Sequence, residues 1–210
     1  MSVEILAVGP SGATISPKAN YDGYFVTQSA FQRAVEKGKV FATCQQGTGV
    51  VTQAGLSGTD AIMALANPAG SNVTARLWHA SFISKVAAAA AMVVWLASCT
   101  NTVAARVTGT AAVVRRLKLG GGETNNQGQT CEAFTTATLP AAPTATIQLG
   151  VQLTEAVTGS FTLLPFYMPS EFAGALLIQP GTAISFQTST ASGAAGCHGC
   201  LVWEEVDLIT

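Results

Sequence analysis

Apolar and polar residues alternate with a period of two along much of the chain. The cleanest stretch sets Ile147, Leu149, Val151 and Leu153 against Gln148, Gly150, Gln152 and Thr154. That pattern predicts a half-buried antiparallel strand. Ile184, Phe186 and Thr188 alternate in the same way with Ser185 and Gln187, and Leu201 to Val206 predicts a closing strand around Trp203. Leu176 to Ile178 leads into Gln179-Pro180-Gly181-Thr182, where Pro followed by Gly predicts a type II turn. Earlier, Val40 to Gln45 is β-prone and ends at Gly47-Thr48-Gly49. Ala61 to Ala66 stops at the turn residues Asn67-Pro68-Ala69-Gly70-Ser71. Val73 to Val86 predicts a long bulged strand, with Leu77 and Ile83 on one face and Trp78 and Phe82 on the other. Ala111 to Leu119 predicts a further strand, and Phe161 to Phe166 an apolar run ended by Pro165 and Pro169.

Punctuation separates these segments. Gly120 to Gly122 and Asn125 to Gly128 predict exposed loop tips, Leu139 to Pro143 an extended connector, and Ser189 to Gly196 a small-residue loop. Many short strands with frequent turns imply a β-sandwich or barrel, and nothing shows the spacing of βαβ units. Residues 1–23 carry breakers and predict an extended arm. Residues 24–37 are the best helix candidate, with Phe31 and Val35 four apart and Gly38 as the stop. The expected organisation is an arm with a short helix over 1–38 and a sandwich domain over 39–210.

The most apolar run, Val86 to Ala97, spans 12 residues. A bilayer needs about 20, so a buried strand or strand pair is expected, with a short alanine-rich helix as the alternative. Charged residues make up only 10% of the chain, against roughly 25% in a typical soluble domain. A sparsely charged surface repels its neighbours weakly and favours assembly. With a net charge of −1 and no basic excess, no nucleic-acid partner is expected. The first residues lack the basic and long apolar regions of a signal peptide. The five cysteines, Cys44, Cys99, Cys131, Cys197 and Cys200, form an odd set, and free buried thiols are expected.

Three groups of residues carry a resemblance. The first is Thr52-Gln53-Ala54-Gly55-Leu56-Ser57 with Asn67-Pro68-Ala69-Gly70-Ser71. The second is Thr138-Leu139-Pro140-Ala141-Ala142-Pro143. The third is Leu176 to Ser185 with Leu201 to Val206. In that order the chain from Val40 to Val206 resembles tailed-phage virion proteins of the jelly-roll capsid decoration, or cement, type. The resemblance implies an all-β jelly-roll sandwich that forms a homotrimer on the outer surface of an icosahedral head. There it would bridge subunits of the major capsid protein, after synthesis in the host cytoplasm. Neither a membrane nor a nucleic-acid partner is implied.

Candidate chemistry is thin. Cys197-His198-Gly199-Cys200 has the spacing of half a zinc site, but no second such cluster exists, and Cys131 and His79 are the only candidate partners. A loop with incidental thiols is the expectation there. His79 and His198 are the only imidazoles, and no G-x-S-x-G occurs. His79, in a predicted strand, is expected to be a hydrogen-bonded sheet histidine. Glu204 and Glu205 are adjacent, so in a strand they face opposite sides and cannot act as a glycosidase pair. Arg115, Arg116 and Lys118 predict a solvated strand end. Gly120 to Gly122 lacks the Lys-Ser/Thr of a phosphate loop. No catalytic, cofactor-binding or metal residue is therefore assigned, and a non-enzymatic structural role is expected. The alternatives are a carbohydrate- or receptor-binding module and a self-assembling shell subunit.

Overall fold

The period-two segments form strands in a computed structural model, which describes residues 7–8, 14–15, 29–84, 91–118, 128–152, 166–192 and 196–208. In chain order the elements are β1 (Ala7–Val8), β2 (Thr14–Ile15), α1 (Ala30–Glu36), β3 (Val40–Cys44), β4 (Asp60–Asn67), β5 (Val73–Ser84), β6 (Met92–Thr100) and β7 (Thr108–Ala111). They continue with β8 (Val114–Arg116), β9 (Glu132–Thr138), β10 (Thr144–Gln152), β11 (Phe166–Ile178), β12 (Thr182–Thr188) and β13 (Cys197–Asp207). Among the described residues β1 and β2 pair with each other, and the remaining strands form two antiparallel sheets. One has six strands in the order β10-β6-β12-β4-β9-β7, the other five in the order β11-β5-β13-β3-β8.

The pairing is nested. β3 pairs with β13, β4 with β12, β5 with β11, and β6 with β10. First meets last, second meets second-last, and so inward: this is the jelly roll. The excursion between β6 and β10 widens both sheets, adding β8 beside β3 and β9 with β7 beside β4.

The inner faces supply the core. Trp203 and Phe41 stack with ring centroids 5.9 Å apart, and Phe82 and Phe186 meet across the sandwich at 6.3 Å. Leu65, Leu77, Met92, Val94, Leu96 and Leu201 are fully buried around them. Each such side chain contributes about 1.5–3 kcal/mol by leaving water. The six-stranded sheet also has a second apolar layer on its outer side, where Ala61, Ala64, Ala66 and Ala183 pack with Val107 and Leu139.

At one end of the sandwich, Asn67 and Asn101 tie the loops together. The amide of Asn67 donates to the carbonyls of Val73 and Ile178 at 2.8 and 2.9 Å. Asn101 donates from its side chain to the Asn67 carbonyl at 3.2 Å and accepts the Val107 N–H at 3.0 Å. Between them lies the expected type II turn. The Gln179 carbonyl accepts the Thr182 N–H at 3.2 Å, and Gly181 takes the positive φ of 80° that position requires.

The helix begins where its cap dictates. Ser29 and Gln32 form a reciprocal capping box, with bonds of 3.1 and 3.0 Å. Gly38, at φ 68°, ends it as expected. Residues 24–28 lie outside the described residues. A helix of seven residues needs tertiary support, which Phe31 supplies by packing edge-on against Trp78 at 4.9 Å.

Several expectations need correction. The strand expected over Ala111 to Leu119 is two short strands in different sheets. Ala112 still donates its N–H to Ala133 of the six-stranded sheet, whereas Val113 already accepts the Thr43 hydroxyl of the five-stranded one. β5 is bulged as expected, but its faces differ. The register slips beside Trp78, so Leu77 and Phe82 both point inward while Trp78, His79 and Ile83 lie half-buried on the outer side. β10 carries two register shifts against β6, which turn Val151 outward beside Val93 and leave it 40% exposed. Pro169 does not end a strand; it sits within β11, an edge strand, where the missing N–H is tolerated. The apolar run leads into β6, a strand that buries Met92, Val94 and Leu96 inward and leaves Val93 and Trp95 half-buried on its outer side; residues 85–90 lie outside the described residues, as do the loop tip 120–122, Asn125 to Gln127 and the run 161–165.

Candidate functional site

Strand geometry decides the fate of the Cys-His-Gly-Cys motif. It lies in β13, not in a loop, and β13 buries Cys197, Gly199, Leu201, Trp203 and Glu205 while His198, Cys200, Val202 and Glu204 face outward. Residues three apart in a strand point to opposite faces. Cys197 and Cys200 therefore cannot share a metal ion. Among the described residues no group of three or more His, Cys, Asp or Glu side chains is placed to hold one. Inside, the Cys197 thiol meets the Ser84 hydroxyl at 3.6 Å.

Outside, Cys200 is disulfide-bonded to Cys44 of β3, which corrects the expectation that these two are free thiols. Register brings them together: Cys200 pairs with Cys44, their Cα atoms 4.1 Å apart. The adjacent bond from the Gln45 N–H to the Gly199 carbonyl, 2.9 Å, makes Cys44–Cys200 a non-hydrogen-bonded pair. In such pairs the side chains approach most closely. Cys99, Cys131 and Cys197 are free, and burial pushes all three thiols above their ordinary pKa. For Cys131 the nearby Glu205 carboxylate adds to the shift.

The disulfide lies in a groove of about 550 Å³ on the outer face of the five-stranded sheet, lined also by His79, His198, Gln45, Ser81 and Ile83. Both histidines of the chain thus share one surface. His79 is the hydrogen-bonded sheet histidine expected: its Nδ1 lies 2.7 Å from Glu171 Oε1 on β11. His198 is held by packing. Its Nε2 is buried against the backbone of Gly49, where a Cβ would come within 2.9 Å of it.

Glu204 and Glu205 take opposite faces, as expected. Glu204 accepts the Trp78 indole N–H at 3.3 Å on the outside. Glu205 is buried and accepts the backbone N–H groups of Thr130 and Cys131, each at 2.8 Å, and the Trp203 indole N–H at 3.3 Å. Its role is to anchor the chain entering β9 onto β13. Nothing in the sequence marked Thr130 and Cys131 as its partners, because they lie 75 and 74 positions away along the chain.

Charge is segregated between the sheets. Asp60 and Glu132 are the only charged residues in the six-stranded sheet, each the first residue of its strand, and β6, β10 and β12 have none. The five-stranded sheet carries Arg76, Arg115, Arg116, Glu171, Glu204, Glu205 and Asp207. Arg115 and Arg116 lie on β8 at its edge. Lys118 beyond them donates to the Glu36 carbonyl at 2.8 Å, fastening α1 to that edge.

Comparison with protein-family models, with curated proteins and with solved structures gives no match. Among the described residues no helix is long and apolar enough to cross a membrane.

Proposed function

We propose that the chain is a structural virion protein, a capsid decoration or cement protein that trimerises and bridges major capsid protein subunits on a phage head. The observation that carries this reading is the charge-free outer surface of β10, β6 and β12. There Val93, Trp95, Gln148 and Val151 stand on ladders without a single ionised group. Such a surface loses little on desolvation and can pack against a neighbouring subunit. The jelly roll is a fold of capsid and lectin domains, and the turn motifs resembling decoration proteins supply the setting. The role is mechanical. Pressure from packaged DNA pulls capsomers apart, and a bridging trimer adds contact area against that pull.

The test is a charge placed on this surface. Gln148→Lys and Val93→Lys, at exposed or half-buried sites, leave the fold intact to within about 0.5–1 kcal/mol. Each is expected to abolish binding to heads stripped of decoration protein. Undiminished binding by both variants would refute this surface as the contact.

A further inference from the structure

We propose that Cys44 and Cys200 form a thiol–disulfide exchange site that is closed by low-molecular-weight disulfides, with Cys44 as the entry thiol and Cys200 as the resolving one. The placement of the two residues carries the argument. They are cross-strand partners on the outer face, at the floor of an open groove. Cys44 is exposed and Cys200 half-buried, so a small reagent reaches Cys44 first. Cys131 and Cys197 are at most 1% exposed, which withholds them from the same reagent.

The chemistry balances with a symmetrical small disulfide such as oxidised glutathione as the oxidant. The Cys44 thiolate attacks one of its sulfur atoms, forming a mixed disulfide and releasing one glutathione thiolate, which takes a proton from water. Cys200 then gives up its proton to solvent and attacks Cys44 Sγ. The Cys44–glutathione bond breaks, the Cys44–Cys200 bond forms, and the second glutathione leaves as a thiol. Two protein thiols are oxidised and one small disulfide is reduced to two thiols. The product locks β3 to the central β13 across a sequence separation of 156 residues. A chain that folds in a reducing cytoplasm would acquire this staple on release to an oxidising medium.

The experiment uses the full chain, folded and reduced, mixed with oxidised glutathione and followed by intact mass and peptide mapping. The wild-type protein is expected to end with no glutathione attached and with Cys99, Cys131 and Cys197 as its free thiols. Cys200→Ser is expected to stop with one glutathione on Cys44, and Cys44→Ser to react roughly tenfold more slowly, at Cys200. Five free thiols after treatment, a stable adduct on the wild-type chain, or modification of Cys197 or Cys131 as fast as Cys44 would overturn the proposal. The wild-type thiol count needs no variant, so a substitution that fails to fold leaves the test intact.

Discussion

The backbone of Gly199 on β13 lies against the ring of Phe186 on β12, so closely that a Cβ at residue 199 would stand 2.7 Å from Phe186 Cε2. The glycine of the Cys-His-Gly-Cys motif is therefore a packing device. It lets the largest inward side chain of β12 rest on the opposite sheet. Gly199→Ala should destabilise the fold by about 1–3 kcal/mol through overpacking. Urea unfolding measures this, and Phe186→Leu in the same background should recover part of the loss. A Gly199→Ala protein as stable as the wild type would show that the ring yields freely.

Glu205 offers a second test. Its carboxylate holds two backbone N–H groups and an indole in the core, so Glu205→Gln removes charge-assisted bonds without changing shape. The expected cost is about 1.5–3 kcal/mol. Hydrogen exchange at the Thr130 and Cys131 amides should accelerate more than exchange across β12. Uniform acceleration would mean that Glu205 stabilises the whole sandwich and does not anchor this segment.

These two sites show what the sequence made legible. Alternation reports which face a residue takes, so the opposed Glu204 and Glu205, the strand around Trp203 and the Pro180-Gly181 turn could all be read from local pattern. Register could not. The slip beside Trp78 reverses the faces expected for Phe82 and Ile83, because a bulge shifts every later side chain of the strand. The shifts in β10 turn Val151 outward for the same reason. Pairing of Cys44 with Cys200 also depends on register between strands 156 residues apart, and an odd cysteine count pointed the other way. The charge-free surface was visible only as a low total. That β10, β6 and β12, three strands without a charged residue, lie side by side emerged once the nested pairing was known.

The free thiols predict an alkaline limit to stability. Folding raises the pKa of Cys99, Cys131 and Cys197 above the ordinary value of 9.0. Below pH 9 both folded and unfolded chains keep these protons, and the stabilising contribution is complete. As pH rises past 9 the unfolded chain loses them first, so stability falls until the folded values are passed. Urea midpoints between about pH 8 and 11 should decline, and Cys131→Ala should flatten that decline. An identical slope in the variant would contradict the assignment.

The central claim is a cementing role on a phage head, and DNA retention tests it most directly. Virions assembled with and without this chain are heated, and the temperature of DNA release is read from dye accessibility. The account predicts release at a lower temperature when the chain is missing, with adding back the purified protein restoring the original value. Equal release temperatures, or virions in which the chain is never found, would contradict it.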